Sequence, residues 1–375
     1  MMNLFASFIL ILFLLVSLIF GLIPYVGRKE IEFGVSIPDN EETHLKIAKW
    51  KRIYFIVNII GGIIFSVPLF IIMKIGSTSQ IERNLSIYVT VGTIMIILIS
   101  TISYLFIRKQ LINLKIQFPK NSKLTQKEIV VELNYRMSKI GIPNSILLLS
   151  NGIIIVATAI ITWLNYDKIP KTFPVHWGIN FTPDRFVTKS ISTVFAMIGF
   201  QVVLALVFYV SNYSLINAKQ SLDPNNPVQS SFKNKAYRRA WSRFTLIISI
   251  STQLLISMVQ IVSIVFYNNT KWVIYIIILY TLILLIYAIV LSIKYGQSGI
   301  RYKGDEYSGN NQTEAQFYED DKFWKYGIFY YNPEDPSVWV EKRFGIGSTA
   351  NMARWQSWVI LIGIIFLCCL PLIFL

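Results

Sequence analysis

Between residues 166 and 190 the chain gathers side chains able to bind ions or move protons. They are His176, Asp184 and Arg185, with Trp177 beside the histidine and Lys189 close behind. Pro174 and Pro183 punctuate the stretch, so a rigid, turn-rich cap is expected, not a loose connector. Such a cap could converge imidazole, carboxylate and guanidinium on a small ligand or a peptide. The same residues also have a structural reading, in which Asp184 and Arg185 form an interfacial ion pair and His176 bonds to the loop backbone.

Catalytic chemistry is poorly served elsewhere. His44 is the only other histidine, too few for a multi-histidine zinc centre. Cys368 and Cys369 are adjacent, so a disulfide between them would be strained, and they read as apolar packing. Glu334 and Asp335 sit in Asn332-Pro-Glu-Asp-Pro336 and read as solvated turn acids. Gly345-Ile-Gly347 lacks the lysine and further glycines of a phosphate loop. No enzyme activity, cofactor or metal is expected.

The elements that must carry these residues are membrane helices. The chain is 54% hydrophobic and 15% charged, well below the roughly 25% charge of soluble domains. Apolar runs of membrane-spanning length fall near Asn3–Leu22, Ile53–Met73, Ser86–Ile107, Ser145–Leu164, Ile191–Val210, Phe244–Tyr267, Trp272–Ile293 and Trp355–Leu375. None contains Asp, Glu, Lys, Arg or His, and a serine–histidine hydrolase inside the membrane would need a histidine there. The fold class expected is an all-α polytopic membrane protein with about eight transmembrane helices. Met1–Phe20 lacks the basic leader of a signal peptide and reads as a retained helix.

The formal charge of +15 is explained by membrane orientation, without nucleic acid as a partner. The odd-numbered loops hold 28 Lys and Arg residues and the even-numbered loops 7. The positive-inside rule then makes the odd loops cytoplasmic and both termini extracytoplasmic. Trp50, Tyr54, Trp163, Tyr166, Trp241, Tyr267, Trp272 and Trp355 lie near span ends, as interfacial aromatic anchors do.

Four regions follow: 1–140 with three helices and an amphipathic cytoplasmic loop, 141–215 with the helix–loop–helix around His176, 216–300 with two further helices, and 301–375. In the first, Thr125-Gln-Lys-Glu128 opens an amphipathic surface helix running to Ile140. Pro38 to Glu42 starts a helix that runs into the second span. In the last region, Gly304 to Thr313 reads as a tether. Phe323 to Tyr331 and Ser337 to Phe344 read as one cytoplasmic β-hairpin closed by the Asn332–Pro336 turn. A two-stranded hairpin is marginal alone, so Trp324, Tyr331, Asn332 and Arg343 are candidate contacts for a cytoplasmic protein. The motif Phe-Gly-aliphatic occurs at both Phe33 and Phe344, too briefly to argue a repeat. Polar residues inside spans, Asn58, Asn151, Gln201, Gln253 and Gln260, could line a solute path, with Gly61-Gly62 and Pro68 breaking span two. They could equally bond helix to helix.

Lys168-Ile-Pro170, Pro174-Val-His-Trp-Gly178, Pro183-Asp-Arg-Phe186 and Lys189-Ser190 resemble the pattern of the bacterial membrane family called domain of unknown function 1648. SdpI-type immunity proteins share that domain. The segment Trp324 to Pro336 with Lys342 to Ser348 resembles a second uncharacterised bacterial domain that accompanies the first. The resemblance implies a multi-pass protein of the bacterial plasma membrane, related to immunity against a secreted peptide toxin or to sensing one. It points to Pro174, His176, Trp177, Pro183, Asp184 and Lys189 as ligand contacts or loop architecture. A transporter for a small solute is the alternative.

Overall fold

A computed structural model describes residues 2–28, 31–37, 41–72, 75, 77–117, 140–178, 182–222, 226–265, 271–304 and 319–374. The expected amphipathic helix from Thr125 and most of the expected tether lie outside the described residues. Uncharged apolar runs leave the backbone no partner but itself, so they fold as helices: α1 (Met2–Val26), α2 (Glu41–Ile72), α3 (Thr78–Ile116), α4 (Asn144–Leu164), α5 (Ile191–Asn217), α6 (Pro227–Val265), α7 (Lys271–Tyr295) and α8 (Trp355–Phe374). Seven of these are long and apolar enough to cross a membrane, while the described apolar run in α8, Trp355–Phe366, is shorter.

The helices pack as two groups, α1–α2–α3 and α4–α5–α6, with α7 against α6 and α1, and α8 against α5. Gly61, Gly62 and Pro68 do not break α2, which is continuous. Gly62 instead lets Ser17 of α1 approach so closely that an added Cβ would overlap its side chain. The second group is held by polar bonds. Asn151 Nδ2 donates to Ser249 Oγ at 2.8 Å, Thr158 and Ser257 hydroxyls meet at 2.6 Å, and Gln201 and Gln253 each donate to the other's backbone carbonyl. Gln260 Nε2 donates to Val194 O at 2.7 Å, whereas Asn58 bonds within its own helix to Tyr54 O. Four of the five polar span residues thus tie helices together.

Helices α3 and α6 have 39 residues each, about 58 Å at 1.5 Å per residue, against roughly 30 Å of hydrocarbon. Their overhanging ends carry the ribbons of the described residues. At one end, two strands, β3 (Thr172–Trp177) and β4 (Pro183–Thr188), form a ribbon beside the start of α3 and the end of α6. At the other end lie three short ribbons. These are β1 (Ile31–Glu32) with β2 (Val35–Ser36), β5 (Trp324–Lys325) with β6 (Phe329–Tyr330), and β7 (Trp339–Glu341) with β8 (Ser348–Ala350).

The single hairpin expected across Asn332–Pro336 is therefore two hairpins joined by that turn. Tyr326 and Gly327 both have positive φ, 53° and 73°, which is the two-residue turn geometry that closes β5 onto β6 within a few residues. Tyr54 is likewise no interfacial anchor: it is 1% exposed and its ring meets Phe33 edge-on at 5.3 Å. The brief Phe-Gly similarity has a structural counterpart, because Phe33 and Phe344 stack at 5.5 Å inside the same cluster.

Candidate functional site

Two polar constellations sit at opposite ends of α3 and α6. The first is the β3–β4 ribbon. Its register pairs Thr172 with Thr188, Phe173 with Val187, Pro174 with Phe186, His176 with Arg185 and Trp177 with Pro183. An irregularity between Pro174 and His176 breaks the alternation, as a bulge does when it re-aims side chains. Phe173, 4% exposed, anchors the ribbon against Ile169, Val194 and Ile264. Lys189 closes its base, donating to Ile169 O at 3.2 Å while its ammonium lies 4.4 Å from the Tyr166 ring centre. Ser190 then caps α5, accepting from Thr193 N.

At the far end of the ribbon His176 Nδ1 lies 2.7 Å from Asp184 Oδ1, with 64% of the histidine side chain and 37% of the aspartate exposed. Asp184 meets His176 although the register sets Arg185 opposite the histidine, because the irregularity at His176 re-aims the side chains there. Gly178 keeps room for two acids: an added Cβ would collide with Glu82 Oε1 and lie 3.2 Å from Asp184 Oδ2. Glu82 comes from the start of α3, so carboxylates from two separate elements approach Gly178. Trp177 Nε1 is buried without a hydrogen-bond partner among the described residues. Phe186, on β4, is 55% exposed.

The second constellation assembles residues from five helix ends around three acids, Glu341 and Asp335 buried and Asp321 half-buried. Glu341 on β7 accepts from Arg28 Nη2 at 2.6 Å, Asn234 Nδ2 at 2.6 Å, Ser298 Oγ at 2.7 Å and Arg238 Nη2 at 2.9 Å. Burial alone would raise its carboxyl pKa, but Arg238 and Arg28 hold it below the ordinary value. Asp321 pairs with Lys115 at 2.7 Å and with Arg343, and accepts from Ser36 Oγ at 3.0 Å; these cations outweigh desolvation and lower its pKa too. Asp335 accepts from Lys219 Nζ at 2.7 Å, Tyr330 OH at 2.9 Å and Ser337 N at 3.0 Å, and is lowered despite burial.

Asp335 is 4% exposed, so it is not the solvated turn acid expected from its neighbours; Glu334 beside it is exposed. Asn351 ties the two C-terminal hairpins together. Its Nδ2 donates to the carbonyls of Asn332, Asp335 and Ser337, and its Oδ1 accepts from Asn332 N and Ala353 N. Below, Arg108 of α3 donates to Gly34 O at 2.7 Å and Tyr104 OH to Tyr326 O at 2.9 Å. Gly34 has φ +71°, and an added Cβ there would be 2.8 Å from Gly327 Cα and Tyr104 OH.

Of the residues marked for a cytoplasmic partner, Trp324 and Asn332 are buried within this assembly, and Arg343 is spent on Asp321 and Ser36. Tyr331 is 47% exposed and free to present its ring. Sequence reasoning missed Glu341, Asp321 and Asn351 altogether. The one signal for the two acids is rarity: 20 acids stand against 35 Lys and Arg, so an acid beside buried aromatics in a basic loop must answer to a cation. Among the described residues no cluster of three His, Cys, Asp or Glu could hold a metal ion.

Membrane-length helices with polar bonds between them, and polar assemblies beyond their ends, define a multi-pass integral membrane protein. Residues 153–202, spanning α4, the ribbon and the start of α5, match the family described as Domain of unknown function (DUF1648). Residues 333–358, from the Asn332–Pro336 turn through β7 and β8 into α8, match the Family of unknown function (DUF5808). The two matches therefore fall one on each constellation. No curated protein and no solved structure matches the chain.

Proposed function

We propose that this membrane protein is non-enzymatic and uses the β3–β4 ribbon to recognise an extended peptide outside the cell, in immunity to a secreted toxin or in sensing one. The observation that carries this reading is the ribbon itself. It is a two-stranded sheet to which no third strand adds among the described residues, and it presents His176, Asp184 and Phe186 to solvent. An open edge offers backbone donors and acceptors to an incoming strand, while alternate side chains set specificity. The acids Asp184 and Glu82 at its tip suit a cationic peptide.

In this reading the protein lies in a bacterial plasma membrane with both termini outside. The support is the excess of Lys and Arg on the loops at the end opposite the ribbon. The three-acid assembly is then cytoplasmic, and Tyr331 is its surface for a protein partner. Cells lacking the gene, or carrying His176→Ala with Asp184→Ala, should become more sensitive to cationic membrane-active peptides. Unchanged sensitivity across a broad panel of such peptides overturns the proposal. Because both side chains are exposed, the variant protein should still accumulate in the membrane.

A further inference from the structure

The loop that follows α7 folds back on the first turns of α6 and leaves an open pocket of about 480 Å³ between them. Lys233 and Gln229 line it from α6, and Arg301, Tyr302 and Lys303 from the loop. The wall is built, not draped. Gly299, at φ +84°, sits against the Lys233 carbonyl where no Cβ fits, and an added Cβ on Gly304 would strike the rings of Phe232 and Tyr302. Tyr302 stacks on Tyr295 at 5.3 Å with the rings 9° apart, and it also packs on Phe232.

Three cations thus face one cavity, and none of them has a carboxylate within ion-pair distance among the described residues. This contrasts with Arg28, Arg238, Arg343, Lys115 and Lys219 at the same end of the molecule, each of which is paired with a carboxylate. Unpaired like charges repel and are stable together only where solvent or an anion compensates them. The positive end of the α6 dipole adds to the field, since Gln229 and Lys233 stand in its first two turns. The pocket also lies at the end of α7, the least buried span, so its mouth is where lipid headgroups meet the protein.

The geometry points to a phosphate-binding site formed by Lys233, Arg301 and Lys303. Its ligand is a phosphate ester group carried either by an anionic phospholipid of the adjacent leaflet or by a soluble phosphorylated molecule. Arg301 supplies a fork for two phosphate oxygens and the lysines supply point charge.

The test uses full-length protein and two probes. The first is dioleoylphosphatidylglycerol against dioleoylphosphatidylcholine, titrated by native mass spectrometry. The second is inorganic phosphate, measured in phosphatidylcholine nanodiscs. Each cation near an anionic headgroup contributes about a fivefold factor, so Lys233→Gln/Arg301→Gln/Lys303→Gln should lose roughly 100-fold and Arg301→Gln alone about fivefold. Lys49→Gln/Arg52→Gln/Lys109→Gln removes the same charge from α2 and α3 without touching the pocket and should leave binding unchanged. Loss of phosphatidylglycerol binding alone identifies a lipid site, and loss of inorganic phosphate binding identifies a soluble ligand. The inference is overturned if the single and triple pocket variants bind both probes like wild type, if wild type binds neither probe, or if the control variant loses as much as the triple.

Discussion

Replacing Glu341 by Gln tests the idea that one buried carboxylate organises the polar end of the molecule. The side chain keeps its size but loses its charge, and the guanidiniums of Arg238 and Arg28, 1% and 12% exposed, lose their counter-ion. Removing one member of a buried, hydrogen-bonded ion network costs about 3–5 kcal/mol. The amide nitrogen of glutamine adds a donor where four donors already converge. The apolar spans do not depend on Glu341, so the expected event is local opening of the ribbons at that end. Arg343 reports it: its side chain is 2% exposed, and trypsin reaches the bond after it only when the assembly opens. When reclosing is fast, cleavage follows the open population, so it should accelerate by roughly 150-fold to several thousand-fold. Adding Arg238→Met should recover part of the loss, because it removes the more buried of the two stranded charges and leaves apolar volume. Cleavage of Glu341→Gln within about twofold of wild type would refute the reasoning.

The three acids also set a pH dependence. Their folded pKa values lie below the ordinary ones, so their stabilisation is complete above the usual carboxylate range near 4 and is lost as pH falls through the lowered values. Protection of Arg343 should accordingly be flat at neutral pH and collapse in acid, and acid-resistant protection would contradict the assignment. Gly34→Ala places a Cβ at a positive φ and against Gly327 and Tyr104, and should destabilise the same end by at least about 1–3 kcal/mol in that proteolysis assay. Asn151→Leu removes the bond to Ser249 between α4 and α6 and should cost only about 0.6–2 kcal/mol in a detergent-denaturation titration. A larger loss there would indicate a role beyond helix pairing.

The spans were legible because twenty uncharged residues admit almost one structure in lipid. The ribbon was half legible. Pro174 and Pro183 suggest turns, yet a two-stranded ribbon tolerates proline, since each strand has an edge that needs no donor. Even with β4 recognised, strand alternation sets Arg185 opposite His176, and the bulge that brings Asp184 to the imidazole has no signal in the sequence. The three-acid end was not legible. Glu341 meets Arg28 across 313 residues and Arg238 across 103, and Asp335 meets Lys219 across 116. No local periodicity encodes such pairings. The tight turn at Tyr326-Gly327 was a local signal, but the stronger Asn-Pro-Glu-Asp-Pro signal downstream drew the hairpin to the wrong place.

The proposed orientation rests on cations that the fold also uses. Arg28, Lys115, Lys219, Arg238 and Arg343 all flank spans, and in the folded protein each holds an acid. Those pairs form only once the helix ends have met, so during insertion the same residues are uncompensated and retain their full weight in setting topology. The two constellations must then lie on opposite sides of the bilayer, since Glu82 and Arg108 on continuous α3 are about 39 Å apart by helical rise. In a background with Cys368 and Cys369 replaced by Ala, His176→Cys should react with an impermeant maleimide in intact cells. Tyr326→Cys, at a position 69% exposed, should react only after the membrane is permeabilised. The reverse pattern would invert the orientation and remove the peptide reading with it, and labelling of both from one side would refute the spanning of α3.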